Sequence, residues 1–124
     1  MAQLNVYTNR LINNIRKLNK FFKEHDIQWS LVTKMLNGNK AVLEKVLHDK
    51  CMLDVHSLAD SRISNLKVIK KIRPDLVTMY IKPPAPAIAK SVVQYADISM
   101  NSSGETIERL SEEAGKAGKT HRVI

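Results

Sequence analysis

The 124-residue sequence has one cysteine, four glycines and 5% aromatic residues, and no apolar run approaches the roughly 20 residues a membrane helix needs. Each shortage excludes something. A lone Cys51 cannot close an internal disulfide. The amino terminus Met1-Ala2-Gln3-Leu4-Asn5-Val6 has neither a basic leader nor an apolar signal core, so a reducing, cytoplasmic setting without a membrane partner is expected. Gly38, Gly104, Gly115 and Gly118 are scattered, which argues against a glycine-rich nucleotide loop. His25, His48, His56 and His121 are irregularly spaced, so no metal set is expected. Nucleic-acid binding needs aromatics interleaved with basic residues on one exposed face. Here Tyr7, Phe21 and Phe22 cluster on one segment, and no nucleic-acid partner is expected. A basic nucleic-acid module is the remote alternative, which a salt-sensitive gel shift would reveal.

Charge of one sign is plentiful. Lys and Arg outnumber Asp and Glu by 20 to 12, a formal charge of +8. Most of the excess falls on helical segments: Arg10, Arg16, Lys17, Lys20 and Lys23 on the first, Arg62, Lys67, Lys70, Lys71 and Arg73 on the third. Solvated helix faces account for it. The 44% hydrophobic content is ordinary for one globular domain.

Leu11, Ile15, Leu18 and Phe22 draw an apolar stripe on a helix that Thr8 caps. An apolar strand over residues 27–33 follows, dense enough to be covered on both faces. Asn39 caps a second helix with Val42, Leu43, Val46 and Leu47 inward, leading to a strand over 51–55 that Cys51 opens as a small core residue. Ser61 caps a third helix carrying Ile63, Leu66, Ile69 and Ile72, and Pro74 forbids its continuation. A strand over 76–81 runs into the stiff loop Lys82-Pro83-Pro84-Ala85-Pro86, then a helix burying Ile88, Val92 and Tyr95. After a strand over 97–100, Ser102-Ser103-Gly104-Glu105 reads as a capping box opening a helix with Ile107, Leu110 and Ala114 inward. His121-Arg122-Val123-Ile124 begins another strand. Trp29, Met35, Met52, Met79 and Met100 are assigned to the core.

Strands recurring every 20 to 25 residues or so, with a helix in each gap, are the cadence of an α/β fold of parallel strand–helix units. An open doubly wound sheet and a closed eight-stranded barrel share it. In either, the run Trp29-Ser30-Leu31-Val32-Thr33 delivers Lys34 at a strand's carboxyl end. A partly desolvated amine there is suited to attack an aldehyde and to move a proton.

Leu31-Val32-Thr33-Lys34, Leu58-Ala59-Asp60-Ser61-Arg62-Ile63-Ser64-Asn65 and Tyr95-Ala96-Asp97-Ile98-Ser99-Met100-Asn101-Ser102 together resemble the alanine-racemase-type family of pyridoxal-phosphate barrels. Within it they are most similar to the branch of amino-acid racemases that includes ornithine racemase. The resemblance covers nearly the whole chain. It implies the first half of an eight-stranded, cofactor-binding barrel, pyridoxal 5'-phosphate as cofactor, an amino acid as small-molecule substrate and a homo-oligomer. It implies that Lys34 forms the internal Schiff base and serves one face of the substrate's alpha carbon. Asp60 and Arg62 match one motif of the barrel mouth, Asn101 and Ser102 another, and Lys82 stands where the family often has an arginine; all five are expected around the cofactor. Competing readings are plain: Asp60, Ser61, Asn101 and Ser102 as helix caps, and Arg62 paired with a neighbour.

The chain also departs from the family. A full barrel takes about 250 residues, and its phosphate cradle is built by the last loops, which lie beyond Ile124. The stretch Met35-Leu36-Asn37-Gly38-Asn39 lacks the tyrosine that follows the lysine in alanine racemases. The chain therefore reads as an amino-terminal segment of a racemase, a natural short relative, or a half-barrel that pairs with a second copy; its end inside a strand favours the first. A non-catalytic cofactor carrier and an inactive piece are the other functional readings.

Overall fold

The computed structural model describes all residues, Met1–Ile124. Five strands form one parallel sheet in the order β1-β2-β3-β4-β5: Ser30–Val32, Ser57–Asp60, Thr78–Tyr80, Ile98–Ser99 and Arg122–Val123. Helices fill the gaps: α1 Thr8–Glu24 before the sheet, then α2 Lys40–Leu47, α3 Ile63–Ile72, α4 Ala89–Tyr95 and α5 Gly104–Lys116. Each strand lies beside its predecessor with no reversal of order. A doubly wound sheet reverses at a switch point and carries helices on both faces, so that option falls. No helix is long and apolar enough to cross a membrane.

The two faces of the sheet differ. Leu58 and Tyr80 point into the main core with Ile15, Leu43, Leu47, Leu66, Ile69, Val92 and Leu110 from the helices. The opposite face carries a row set by register, Val32 beside Ala59, Met79, Ile98 and Arg122. Ala59, Met79 and Ile98 are buried there with only strand neighbours such as Val77 and Ile81. All helices therefore cover one face. Leu47 has no exposed surface and touches a close-packed core, so Leu47→Ala is expected to cost about 2–5 kcal/mol. Urea denaturation reads this directly, and a loss below about 1 kcal/mol would mean that α2 is loosely docked.

Several expected elements are shifted. Residues 51–55 are not a strand: Lys50–Asp54 is a 3-10 helix, opened by the Asp49 carboxylate accepting from Cys51 N–H at 2.9 Å. The strand comes later, at Ser57–Asp60. Cys51 is buried as expected, but in this turn, and burial together with the neighbouring Asp49 pushes its thiol up to about 12. The first strand is only Ser30–Val32, and Ile27 and Val32 are each half exposed, so it is not covered on both faces. Thr8 is the first helical residue of α1, and no side chain caps that helix. Leu18 is exposed and Asn19 takes its inward place, donating to Cys51 O at 2.7 Å while accepting from the Trp29 indole at 2.9 Å. Ile88, Ile107, Met35 and Met100 are also exposed rather than core; Thr106 fills the inward position beside Ile107 and donates to Pro84 O. Asn39 does cap α2, accepting from Val42 N–H at 3.1 Å. Ser61 precedes the N-cap position of α3, and Ser103 occupies that of α5 without a side-chain bond.

One ion pair locks the amino end of the sheet. Lys70 donates to Asp97 at 2.7 Å and to Leu76 O at 2.8 Å, while Thr78 N–H reaches the same carboxylate at 2.8 Å. Burial pushes the Asp97 carboxyl up, but the bonds and charge of Lys70 and the Thr78 donors outweigh it, and the net shift is downward. The folded state then holds its proton less tightly than the unfolded chain. The stabilisation is complete above the ordinary carboxylate range, near pH 4, and is lost as pH falls through the lowered folded value. Asp97→Asn is accordingly expected to flatten the acid limb of a stability-versus-pH curve; equal acid slopes in the two proteins would contradict this.

Candidate functional site

Parallel strands bring all their carboxyl ends to one edge, and the ladder runs one residue past each strand there. Thr33 N–H bonds Ala59 O (2.9 Å), Ile81 N–H bonds Asp60 O (3.1 Å), Met100 N–H bonds Tyr80 O (3.0 Å) and Ile124 N–H bonds Ser99 O (2.9 Å). Asp60 ends β2, and Lys34, Arg62, Lys82 and Asn101 each stand two residues past the last residue of their strand, with Ser102 one position further on. Residues far apart in sequence thus share one rim. Val32 pairs with Ala59, which brings Lys34 level with Ser61.

The rim residues differ in what their side chains do. Lys34 opens the 3-10 turn Lys34–Leu36 and is exposed, so these residues do not supply the desolvation expected of its amine. Lys82 and Ser102 are likewise exposed. Arg62 donates to Asn37 Oδ1, in the loop that carries Lys34. Asn101 is turned onto its own strand end, donating to Ser99 O at 2.8 Å, and its N–H holds Ile124 O at 2.8 Å. Asp60 is fully buried and accepts from the Thr33 hydroxyl (3.0 Å), Arg62 N–H (3.0 Å) and the Asn65 amide. Lys34, Arg62 and Lys82 therefore form a solvent-facing cationic rim, with Asp60 withdrawn beneath it.

A cleft of about 340 Å³ lined by Trp29, His56, Lys23 and Leu53 opens at the amino ends of β1 and β2, away from Lys34. At the amino end of β5, His121 Nε2 lies 2.8 Å from Ser99 Oγ, and burial pushes the His121 imidazole down. Sequence reasoning had no role for Thr33, Asn37, Gly38 or Asn65. Asn37 and Gly38 are signalled only as polar and glycine residues just beyond an apolar run, and Thr33 and Asn65 only as members of the segments that carry the resemblance.

No family model matches the chain. The sequence is 30% identical over 122 residues to the ornithine racemase of Acetoanaerobium sticklandii, an alignment taking in 98% of this chain and 33% of the racemase. The chain spans about a third of the length of that curated relative.

Proposed function

We propose that the chain is the amino-terminal part of a pyridoxal-phosphate-dependent amino-acid racemase of the ornithine racemase kind, and that its sheet is the first half of an eight-stranded barrel. The position of Lys34 carries this reading: an exposed amine at a strand's carboxyl end, on the edge where barrel enzymes keep their chemistry. The sequential strand order, the single helix-covered face and the 30% identity support it.

The donor set fits part of the cofactor. Lys34 offers a primary amine for the aldehyde, and Arg62 and Lys82 offer cationic donors for an anionic ring oxygen or the substrate's carboxylate. Ser102 offers a neutral donor across the rim, while the Asn101 amide is engaged by Ser99. The phosphate cradle belongs to later loops of such barrels. When bound, the cofactor supplies an electron sink for the alpha carbanion. The chain's own residues then have two tasks: Lys34 holds the cofactor and moves a proton at the alpha carbon, and the cationic rim orients the carboxylate.

Because the rim residues place one proton-moving group and no partner opposite it, this piece alone would bind the cofactor without racemising. In the proposed barrel the outer edges of β1 and β5 would pair with further strands, from the same protein or from a second copy. A monomeric mass by light scattering would remove the second copy. Titration with pyridoxal phosphate is expected to give an absorbance band that saturates near one equivalent; a rise proportional to added cofactor, without saturation, would contradict the assignment.

A further inference from the structure

Directly behind Lys34 lies a buried carboxylate with no cation in contact. Asp60 has no exposed surface, and its charge is met by hydrogen bonds alone. The Thr33 hydroxyl donates to Oδ2 at 3.0 Å, Arg62 N–H to Oδ1 at 3.0 Å, and Asn65 Nδ2 reaches both oxygens at 3.2 Å. The same hydroxyl lies 3.4 Å from Ala59 O. It has one hydrogen, and the shorter, charged acceptor holds it.

The other end of Asn65 meets the loop that follows Lys34. A Cβ placed on Gly38 would lie 2.7 Å from Asn65 Oδ1, and Gly38 has φ +69°. No L side chain fits that backbone and that gap together. The preceding Asn37 is also left-handed, at φ +47°, and its side chain accepts from Arg62. Residues 34–38 are thus gripped at the Thr33 end by Asp60 and abutted at the Gly38 end by Asn65. A buried charge without a counter-ion is tolerable only while every donor stays in place, so this arrangement resists loosening.

We infer that Thr33, Asp60 and Asn65 are positioning residues, joined through Asp60 to hold the Lys34–Gly38 loop and so fix the point on the rim from which the Lys34 side chain extends. The inference rests on the reading of Lys34 as the cofactor-bearing lysine, but its structural half is independent of it. Asp60 then acts through Thr33 and Asn65 and touches no cofactor.

The test takes two readouts on the full chain, in Thr33→Val, Thr33→Ser and Asn65→Ala. The first is hydrogen exchange at Leu36, Asn37 and Asn39, whose N–H groups bond Thr33 O, Lys34 O and Leu36 O, measured against the β3 amides of the same molecule. The second is the share of borohydride-reduced pyridoxal adduct found on Lys34 rather than on other lysines. Thr33→Val and Asn65→Ala are expected to speed loop exchange about tenfold or more, the change a lost hydrogen bond to a charged group brings, and to lower the Lys34 share. Thr33→Ser is expected to restore both. Unchanged loop exchange in Thr33→Val overturns the clamp. Faster exchange with an unchanged Lys34 share overturns the positioning role and leaves a purely structural one. A wild-type chain with no preference for Lys34 counts instead against the cofactor reading, and the exchange data still decide the clamp. Should Asn65→Ala fail to fold, Thr33→Val, nearly isosteric and at a strand end, carries the test alone.

Discussion

Lys34→Ala is expected to abolish the saturable pyridoxal-phosphate band entirely, leaving only the weak, scattered reaction that any lysine-rich protein shows. The effect is all or none because a primary amine is the only side-chain group that condenses reversibly with the aldehyde in this way, and Lys34 is the lysine that β1 delivers to the carboxyl edge. Stability is expected to change little, since Lys34 is exposed and a surface substitution of this kind usually falls within about 0.5 kcal/mol. Lys34→Arg keeps the charge but not the nucleophile and is expected to behave like alanine. A band that survives in both variants would place the reactive amine elsewhere.

Asp60→Ala is expected to be the most damaging single change at the rim, lowering stability by about 3 kcal/mol. The alanine strands the buried Asn65 amide, at about 1–3 kcal/mol, and leaves the Thr33 hydroxyl only the longer bond to Ala59 O in place of a charged acceptor. Arg62 N–H lies beside solvent and adds less. By contrast, the exposed pair Arg109–Glu112 at 2.6 Å is a surface contact worth about 0.5 kcal/mol or less despite its short distance. A urea midpoint series with unchanged m values compares the two directly. Equal losses for Asp60→Ala and Glu112→Ala would show that the buried network carries no special weight.

The strand–helix cadence was legible because its punctuation is chemically strong. Asn39 supplies a real cap, Pro74 follows the last turn of α3, and Leu43, Val46 and Leu47 keep helical spacing on a buried face. The stretch 51–55 misled because so short a mostly apolar segment, broken only by Asp54, has no period of its own; the Asp49 cap and the contact with α1 turned it into a 3-10 helix. Leu18 misled because stripe spacing admits position 18 or 19, and Asn19 wins through bonds to Cys51 and Trp29 that no pattern of apolar residues reveals. Placing Lys34, Arg62, Lys82 and Asn101 on one edge needed only the parallel sheet. The pairing of Thr33 with Asp60 needed the register of Val32 on Ala59, and register is a property of two strands that neither one encodes alone.

The most direct test of Lys34 as the cofactor-bearing lysine is borohydride reduction of the wild-type chain with pyridoxal phosphate, followed by peptide mapping of the adduct. The account predicts a single dominant adduct on Lys34 at one equivalent of cofactor. Adducts spread over Lys17, Lys20, Lys23, Lys67, Lys82 and Lys90, with Lys34 no more modified than the rest, would contradict it.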